Sequence, residues 1–142
     1  MSAPGRPKRE YRSAEHEGSP VSDATGLDLS VLIVTYNSAR LIGPLLSRLH
    51  AELAEVAAEV IVVDNASADG TAALIRREHP GVKLVASASN LGFAAGNNLA
   101  SRHARGRYLM LLNPDAIPAP GALARGIALM DRHADVGLAG GE

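Results

Sequence analysis

Val31-Leu32-Ile33-Val34-Thr35-Tyr36-Asn37 sets the pattern of this chain, and Val60-Ile61-Val62-Val63-Asp64-Asn65 repeats it. Each is a short unbroken apolar run, rich in β-branched residues, that stops on polar side chains. A strand buried on both faces reads this way, because neither face meets water. Between the runs, Leu41, Ile42, Leu45, Leu46, Leu49 and Leu53 fall at the spacing of a helix's inner stripe. Pro44 interrupts that stripe and removes a backbone donor, so the helix is expected to start late, near Ile42, or to kink. Asp69-Gly70-Thr71 then leads into a second helix carrying Leu74 and Ile75, stopped at His79-Pro80-Gly81. Val82 to Val85 reads as a third strand, and Asn90-Leu91-Gly92 opens a small-residue helix from Phe93 to about Ala104. Tyr108 to Leu112 is a fourth strand, broken at Asn113-Pro114-Asp115. A last helix over about Gly121 to His133 turns Leu123, Ile127 and Met130 inward, and Val136 to Ala139 reads as the start of a fifth strand. Strands alternating with helices predict an α/β fold: a mostly parallel sheet with helices on both faces.

Composition narrows the function. The 142 residues suffice for one domain with a hydrophobic core, 46% of them are hydrophobic, and only 3% are aromatic. Lys and Arg number 14 against 15 Asp and Glu, a balance that argues against a nucleic-acid partner. There is no cysteine, which excludes disulfides and thiolate metal sites. No apolar stretch approaches the roughly 20 residues of a membrane span. Arg6, Lys8, Arg9 and Arg12 precede no apolar run, so no secretory signal is read there. Residues 1–27, rich in Pro, Gly, Ser and charge, are expected to form a disordered tail before a domain over residues 28–142. A cytoplasmic protein is the expectation, with peripheral contact at the inner face of the membrane left open.

A parallel sheet delivers every strand's last residue to one edge, and ligands bind in the crevice outside it. Here those ends are polar: Asn37, Asp64 and Asn65, Asn113 and Asp115, with Asn90-Leu91-Gly92 following the third strand. Thr35-Tyr36-Asn37-Ser38-Ala39 is not the glycine-rich turn of a dinucleotide site, and no Walker lysine loop is present. A diphosphate held here would meet few cations and the charge of Asp115. A hard divalent cation bridging Asp115 and the phosphates resolves that conflict. Asp64 would then be free to accept a hydrogen bond from a base or ribose. Blander readings compete at each position: Asp64-Asn65 and Asn113-Pro114-Asp115 as plain turns, Asp69-Gly70 as a helix cap. Only their convergence on one edge favours a ligand. The five histidines show no ligand spacing, and Ser38 and Ser67 lack a histidine partner, so a serine hydrolase has little support.

At these residues the chain resembles the family 2 glycosyltransferases, and within them the bacterial rhamnosyltransferase-type members. The likeness rests on four segments in order: 31–38, 59–71, Asn90-Leu91-Gly92-Phe93-Ala94-Ala95-Gly96-Asn97-Asn98, and Tyr108 to Asp115. It implies an A-type glycosyltransferase fold, Rossmann-like, and inverting transfer from a nucleoside-diphosphate sugar to a glycan or lipid-linked acceptor, in cell-wall or polysaccharide biosynthesis. By motif match Thr35, Tyr36 and Asn37 would line the nucleotide pocket and Asp64 would bind the base. Asn90, Gly92 and Asn97 would face the ribose or sugar, with Asn65 and Asn113 among the substrate-binding residues. Asp115 would hold the divalent metal, magnesium or manganese. Asn113 stands where the family's metal motif usually begins with aspartate, which removes one negative ligand. Thymidine-diphosphate rhamnose is the donor the resemblance suggests.

The family's general base, in an acidic pair beyond the fifth strand, has no counterpart up to Glu142. The chain is therefore expected to carry the donor-binding half, incomplete at its carboxyl end, with no catalytic residue of its own and little transfer by itself. A non-catalytic nucleotide-sugar-binding remnant is the alternative. A nucleotidyltransferase is a weaker one, since it would call for a glycine-rich basic loop after the first strand.

Overall fold

The computed structural model describes residues 26–140. Four parallel strands form one sheet in the order β3-β2-β1-β4: β1 (Leu29–Thr35), β2 (Ala58–Asp64), β3 (Lys83–Ala86) and β4 (Tyr108–Leu112). The helices α1 (Ala39–Glu52), α2 (Thr71–Glu78), α3 (Gly92–Ser101) and α4 (Ala122–Arg132) fill the crossovers and follow β4. β1 is central and every residue of it is buried, as its unbroken apolar run predicts.

Alternation along the strands divides the core in two. Val31 and Ile33 of β1 and Val60 and Val62 of β2 pack with Ile42, Leu45 and Leu49 of α1, Ile75 of α2 and Leu123 of α4. On the opposite face Leu32, Val34, Ile61 and Val63 meet α3 through Ala100 and Leu99. Helices thus cover both faces, as expected. Leu109 and Leu111 of β4, which alternate onto the α3 side of this edge strand, stay 49% and 54% exposed.

Three expectations need adjustment. The first helix starts at Ala39, not near Ile42, and Pro44 lies inside it. Its start is fixed by the Ser38 carbonyl, which accepts from the backbone N–H groups of Leu41 and Ile42 at 2.9 and 3.0 Å. Val136 to Ala139 forms no strand; Leu138 is 90% exposed and no ladder pairs this stretch among the described residues. A short apolar run without a neighbouring strand to satisfy its backbone gains little from extension. The third helix ends at Ser101, short of Ala104. The expected tail lies outside the described residues except for Gly26 and Leu27, and the Leu27 carbonyl accepts from the Arg107 backbone N–H at 3.0 Å.

The amino edge of the sheet is closed by side chains that satisfy one another. Ser30, fully buried in β1, donates to Glu59 at 2.8 Å and accepts from the backbone N–H of Gly106 at 2.8 Å. Glu59 also accepts from the Arg105 backbone at 2.7 Å and pairs with its guanidinium at 3.0 Å. Burial pushes the Glu59 carboxyl up, but the hydrogen bonds from Ser30 and Arg105, with the arginine's charge, outweigh it and hold it below the usual glutamate range. Nearby, Arg107 bridges Asp28 and Asp131 at 3.1 and 2.6 Å.

This close approach of the loop before β4 to β1 demands glycine at position 106. A Cβ there would lie 2.4 Å from the Leu29 carbonyl carbon and the Ser30 nitrogen, both backbone atoms. Gly106→Ala is therefore expected to destabilise the domain by about 1–3 kcal/mol or more. Gly126, in exposed α4 with nothing near its would-be Cβ, predicts the opposite sign. Gly126→Ala should stabilise by about 0.5–1 kcal/mol, and urea denaturation of the two variants measures both.

Candidate functional site at the carboxyl edge of the sheet

β1 and β2 run in register over their whole length, so Thr35 stands opposite Asp64. Thr35 shares its sheet face with Val31 and Ile33, and Asp64 shares that face with Val60 and Val62. Both are deeply buried, at 0% and 3% exposure. Asp64 Oδ2 accepts from the Ser67 backbone N–H at 3.2 Å, but Asp64 Oδ1 and Thr35 Oγ1 have no partner. Among the described residues these are the only buried side-chain polar atoms left unpaired.

Beyond this pair the β1–α1 and β2–α2 loops lock together. The Asn37 backbone N–H donates to Ser67 Oγ at 2.9 Å, and Asn37 Oδ1 accepts from the Ala68 N–H at 2.8 Å. The Ser38 N–H donates to Thr71 Oγ1 at 3.0 Å. Asn37 and Ala66 hold positive φ, 49° and 63°, at the two bends that bring the loops face to face. For alanine that conformation costs about 1–2 kcal/mol, which the surrounding bonds must offset.

Asp69 ties the two helices that leave these loops. Its Oδ1 accepts from the Thr71 N–H and its Oδ2 from the Ala39 N–H, both at 3.0 Å. It thus caps α2, as expected, and also the start of α1. Both bonds reach first-turn N–H groups, where a negative charge is favoured. Hydrogen bonds from the Thr71 side chain and the Ala39 backbone hold the Asp69 carboxyl below the usual aspartate range. The anion at these two helix starts is the protein's own, so those amides are already taken from any phosphate.

Asn65, 2% exposed, reaches the other way. Its Nδ2 donates to Asn90 Oδ1 at 2.9 Å and the Gly92 carbonyl at 3.3 Å, and its Oδ1 accepts from the Leu91 N–H at 2.9 Å. Asn97, also buried, donates from Nδ2 to the Phe93 carbonyl at 3.0 Å within α3. Tyr36, Asn37, Asn90 and Gly92 are exposed at this edge, and so are Leu91 and Phe93, an apolar rim that the sequence reading passed over. Asn113 and Asp115 follow β4, on the far side of β1, and are exposed. Their side chains make no hydrogen bond to the interlocked loops among the described residues.

No group of three or more His, Cys, Asp or Glu side chains gathers for a metal among the described residues. Asp115 with Asn113 fits a cation that takes one carboxylate and fills its shell from substrate oxygens and water, the habit of magnesium. Two surface recesses lie elsewhere: about 530 Å³ at the amino edge near His50, Leu53 and His79, and about 740 Å³ beside β4 and α4. Neither contains the polar strand ends, and the unpaired buried atoms are the better guide to chemistry. No helix among the described residues is long and apolar enough to cross a membrane.

The sequence profile described as "Glycosyl transferase family 2" matches residues 30–141. The "Succinoglycan biosynthesis protein ExoO" of Rhizobium meliloti (strain 1021) is 36% identical over 107 residues, 73% of this chain and 30% of the relative. Among solved structures, the mannosyltransferase PcManGT from Pyrobaculum calidifontis in complex with GDP-Man and Mn²⁺ is 34% identical with a TM-score of 0.67, covering 73% of this chain and 32% of that one. S. aureus TarS 1-349 in complex with UDP is 28% identical with a TM-score of 0.67, covering 76% of this chain and 33% of that one. The chain therefore spans about a third of the length of the proteins it matches.

The double cap predicts a pH signature. Because the Asp69 carboxyl is held down in the folded protein, its stabilisation is present above the ordinary aspartate range and lost as pH falls through the lowered value. Asp69→Ala should be less stable than the wild type at neutral pH, and the gap should close on acidification. Thermal melts of both proteins as a function of pH check this; a gap that is constant with pH contradicts it.

Proposed function

The chain belongs to glycosyl transferase family 2, and on that premise we propose that it binds a nucleoside-diphosphate sugar at the carboxyl edge of β1 and β2. The single observation that carries this reading is the unpaired pair of buried atoms, Asp64 Oδ1 and Thr35 Oγ1, in register at that edge. A buried acceptor without a donor costs about 1–3 kcal/mol, more when charged, and is repaid only when something donates to it. A nucleobase N–H is such a donor: uracil and guanine each present one beside a carbonyl. Thr35, whose hydroxyl both donates and accepts, stands opposite Asp64 on the same face and would meet that carbonyl. UDP and GDP-Man in two of the structures similar to this chain support this chemistry.

The remaining roles are assigned by motif match. On this reading Tyr36 and Asn37 flank the base pocket, and Asn90, Gly92 and Asn97 face the ribose and sugar. With the starts of α1 and α2 already capped by Asp69, the diphosphate falls toward Asp115 and Asn113. Those two residues would hold a divalent cation, magnesium or manganese, which when bound supplies positive charge to the diphosphate leaving group. The reaction is sugar transfer with inversion to a glycan or lipid-linked acceptor. The Rhizobium relative, a succinoglycan biosynthesis protein, favours a polysaccharide. Asn113 in the metal motif makes thymidine-diphosphate rhamnose the donor to test beside the uridine and guanosine sugars. On this reading the protein works in the cytoplasm, at the inner face of the membrane where the acceptor is lipid-linked.

Asp64→Asn supplies one acceptor oxygen where two are needed, one for the Ser67 N–H and one for the base. It is expected to weaken nucleoside-diphosphate binding by roughly 10- to 100-fold in calorimetric titrations, the range for a hydrogen bond to a charged group. Asp115→Ala should leave metal-free affinity unchanged and remove the gain that Mn²⁺ gives. Equal binding by Asp64→Asn and wild type, or no binding of any diphosphate at millimolar concentration, would contradict the assignment.

A further inference from the structure

We propose that Asn65 is a positioning residue for the donor: it fixes the β3–α3 loop against the base pocket and does not touch the ligand. The inference rests on the donor-binding reading above. Asp64 is the last residue of β2 and Asn65 the first beyond it; the Asn65 N–H still donates to the Thr35 carbonyl at 2.8 Å, so the extended backbone continues and the two side chains point to opposite faces of the sheet. Asp64 lies on the face of α1 and α2, where Val60 and Val62 pack; Asn65 lies on the face of α3, where Ile61 and Val63 pack.

A primary amide offers two N–H donors and one carbonyl acceptor. Asn65 uses both donors and its carbonyl oxygen on three successive residues: Asn90 Oδ1, the Leu91 N–H and the Gly92 carbonyl. Asn90 Oδ1 also accepts from the Gly92 N–H at 2.9 Å, which closes the loop on itself. Leu91 and Phe93 are both exposed, and the other bond that ties this loop to β2 is the Ser87 N–H to the Asp64 carbonyl at 2.9 Å. Gly92 is the first residue of α3 and holds φ at 76°, so the anchor also sets where the helix begins. The residue beside the base-binding carboxylate therefore grips the segment assigned to the ribose and sugar. Two parts of the donor are held through consecutive residues, the last of β2 and the one that follows it, and the backbone between them fixes their separation.

Two variants and two readouts test this. In the ligand-free protein, amide hydrogen exchange followed by NMR should show Asn65→Ala losing protection at Leu91 and Gly92, with Ser38 and Ala39 in the interlocked loops unchanged. Asn65→Asp keeps an acceptor for the Leu91 N–H but turns an oxygen toward Asn90 Oδ1. It should keep Leu91 protected while Gly92 loosens, and it guards against Asn65→Ala failing to fold. In titrations with UDP and GDP, Asn65→Ala should weaken whichever binds by about tenfold. Placed on Asn90→Ala, the same change should cost clearly less, because residues acting through one network do not contribute independently. Losses that simply multiply, or Leu91 and Gly92 amides as protected in Asn65→Ala as in wild type, overturn the proposal. Wild-type protein that binds neither diphosphate, with the loop still loosened by Asn65→Ala, overturns the donor reading alone.

Discussion

The parallel register between β1 and β2 is the constraint on which the rest of this molecule hangs. It pairs residues from Leu29 with Ala58 through Thr35 with Asp64, and it ends on two polar side chains that share a face and a depth. Shifting one strand by a residue would send Asp64 to the α3 side and exchange every core side chain between the faces. The apolar alternation forbids that, since Val31, Ile33, Val60 and Val62 fill one core while Leu32, Val34, Ile61 and Val63 fill the other. Burial of aliphatic side chains thus fixes where a carboxylate and a hydroxyl stand. A hydrophobic pattern sets polar geometry at the site.

The two edges of the sheet then differ in a way that distinguishes structure from function. At the amino edge Ser30, Glu59 and Arg105 complete one another, and Arg107 lies between two aspartates. At the carboxyl edge the loops are just as heavily bonded, but the bonding stops short at Thr35 Oγ1 and Asp64 Oδ1. The interlock through Asn37, Ser67, Asp69 and Thr71 holds those atoms still, which is what a preorganised binding site needs. Asp69 also accepts from N–H groups at the starts of α1 and α2, so both helix starts already face a negative charge. Asn65 extends the same rigidity to the next loop.

Much of this was legible in the sequence because it follows from local period. The runs at Val31 to Val34 and Val60 to Val63 announce buried strands, and parallel topology alone gathers Asn37, Asp64, Asn65, Asn90 and Asp115 to one edge. What was not legible is long-range. The bonds from Asn37 to Ser67, Ala39 to Asp69 and Asn65 to Asn90 join residues 25 to 30 positions apart, and nothing in either partner's neighbourhood marks the other. Asp69-Gly70-Thr71 reads correctly as a cap for α2, but its reach to α1 needs the third dimension. Val136 to Ala139 has the composition of a strand but pairs with none among the described residues, so the local pattern over-predicts it. Pro44 suggested a late helix start because propensity ignores the Ser38 carbonyl, which begins α1 earlier.

Ligand binding at the carboxyl edge of β1 and β2 is open to direct observation. The most direct measurement is a backbone-amide NMR titration with UDP, GDP and thymidine diphosphate in the presence of Mg²⁺. Binding at that edge should shift Thr35, Tyr36, Asn37, Asp64 and Asn65, extending to Asn90 to Phe93, with Ser30, Glu59 and Arg105 at the opposite edge unmoved. Shifts concentrated at the amino edge, or along β4 and α4 with none at Thr35 and Asp64, would contradict it.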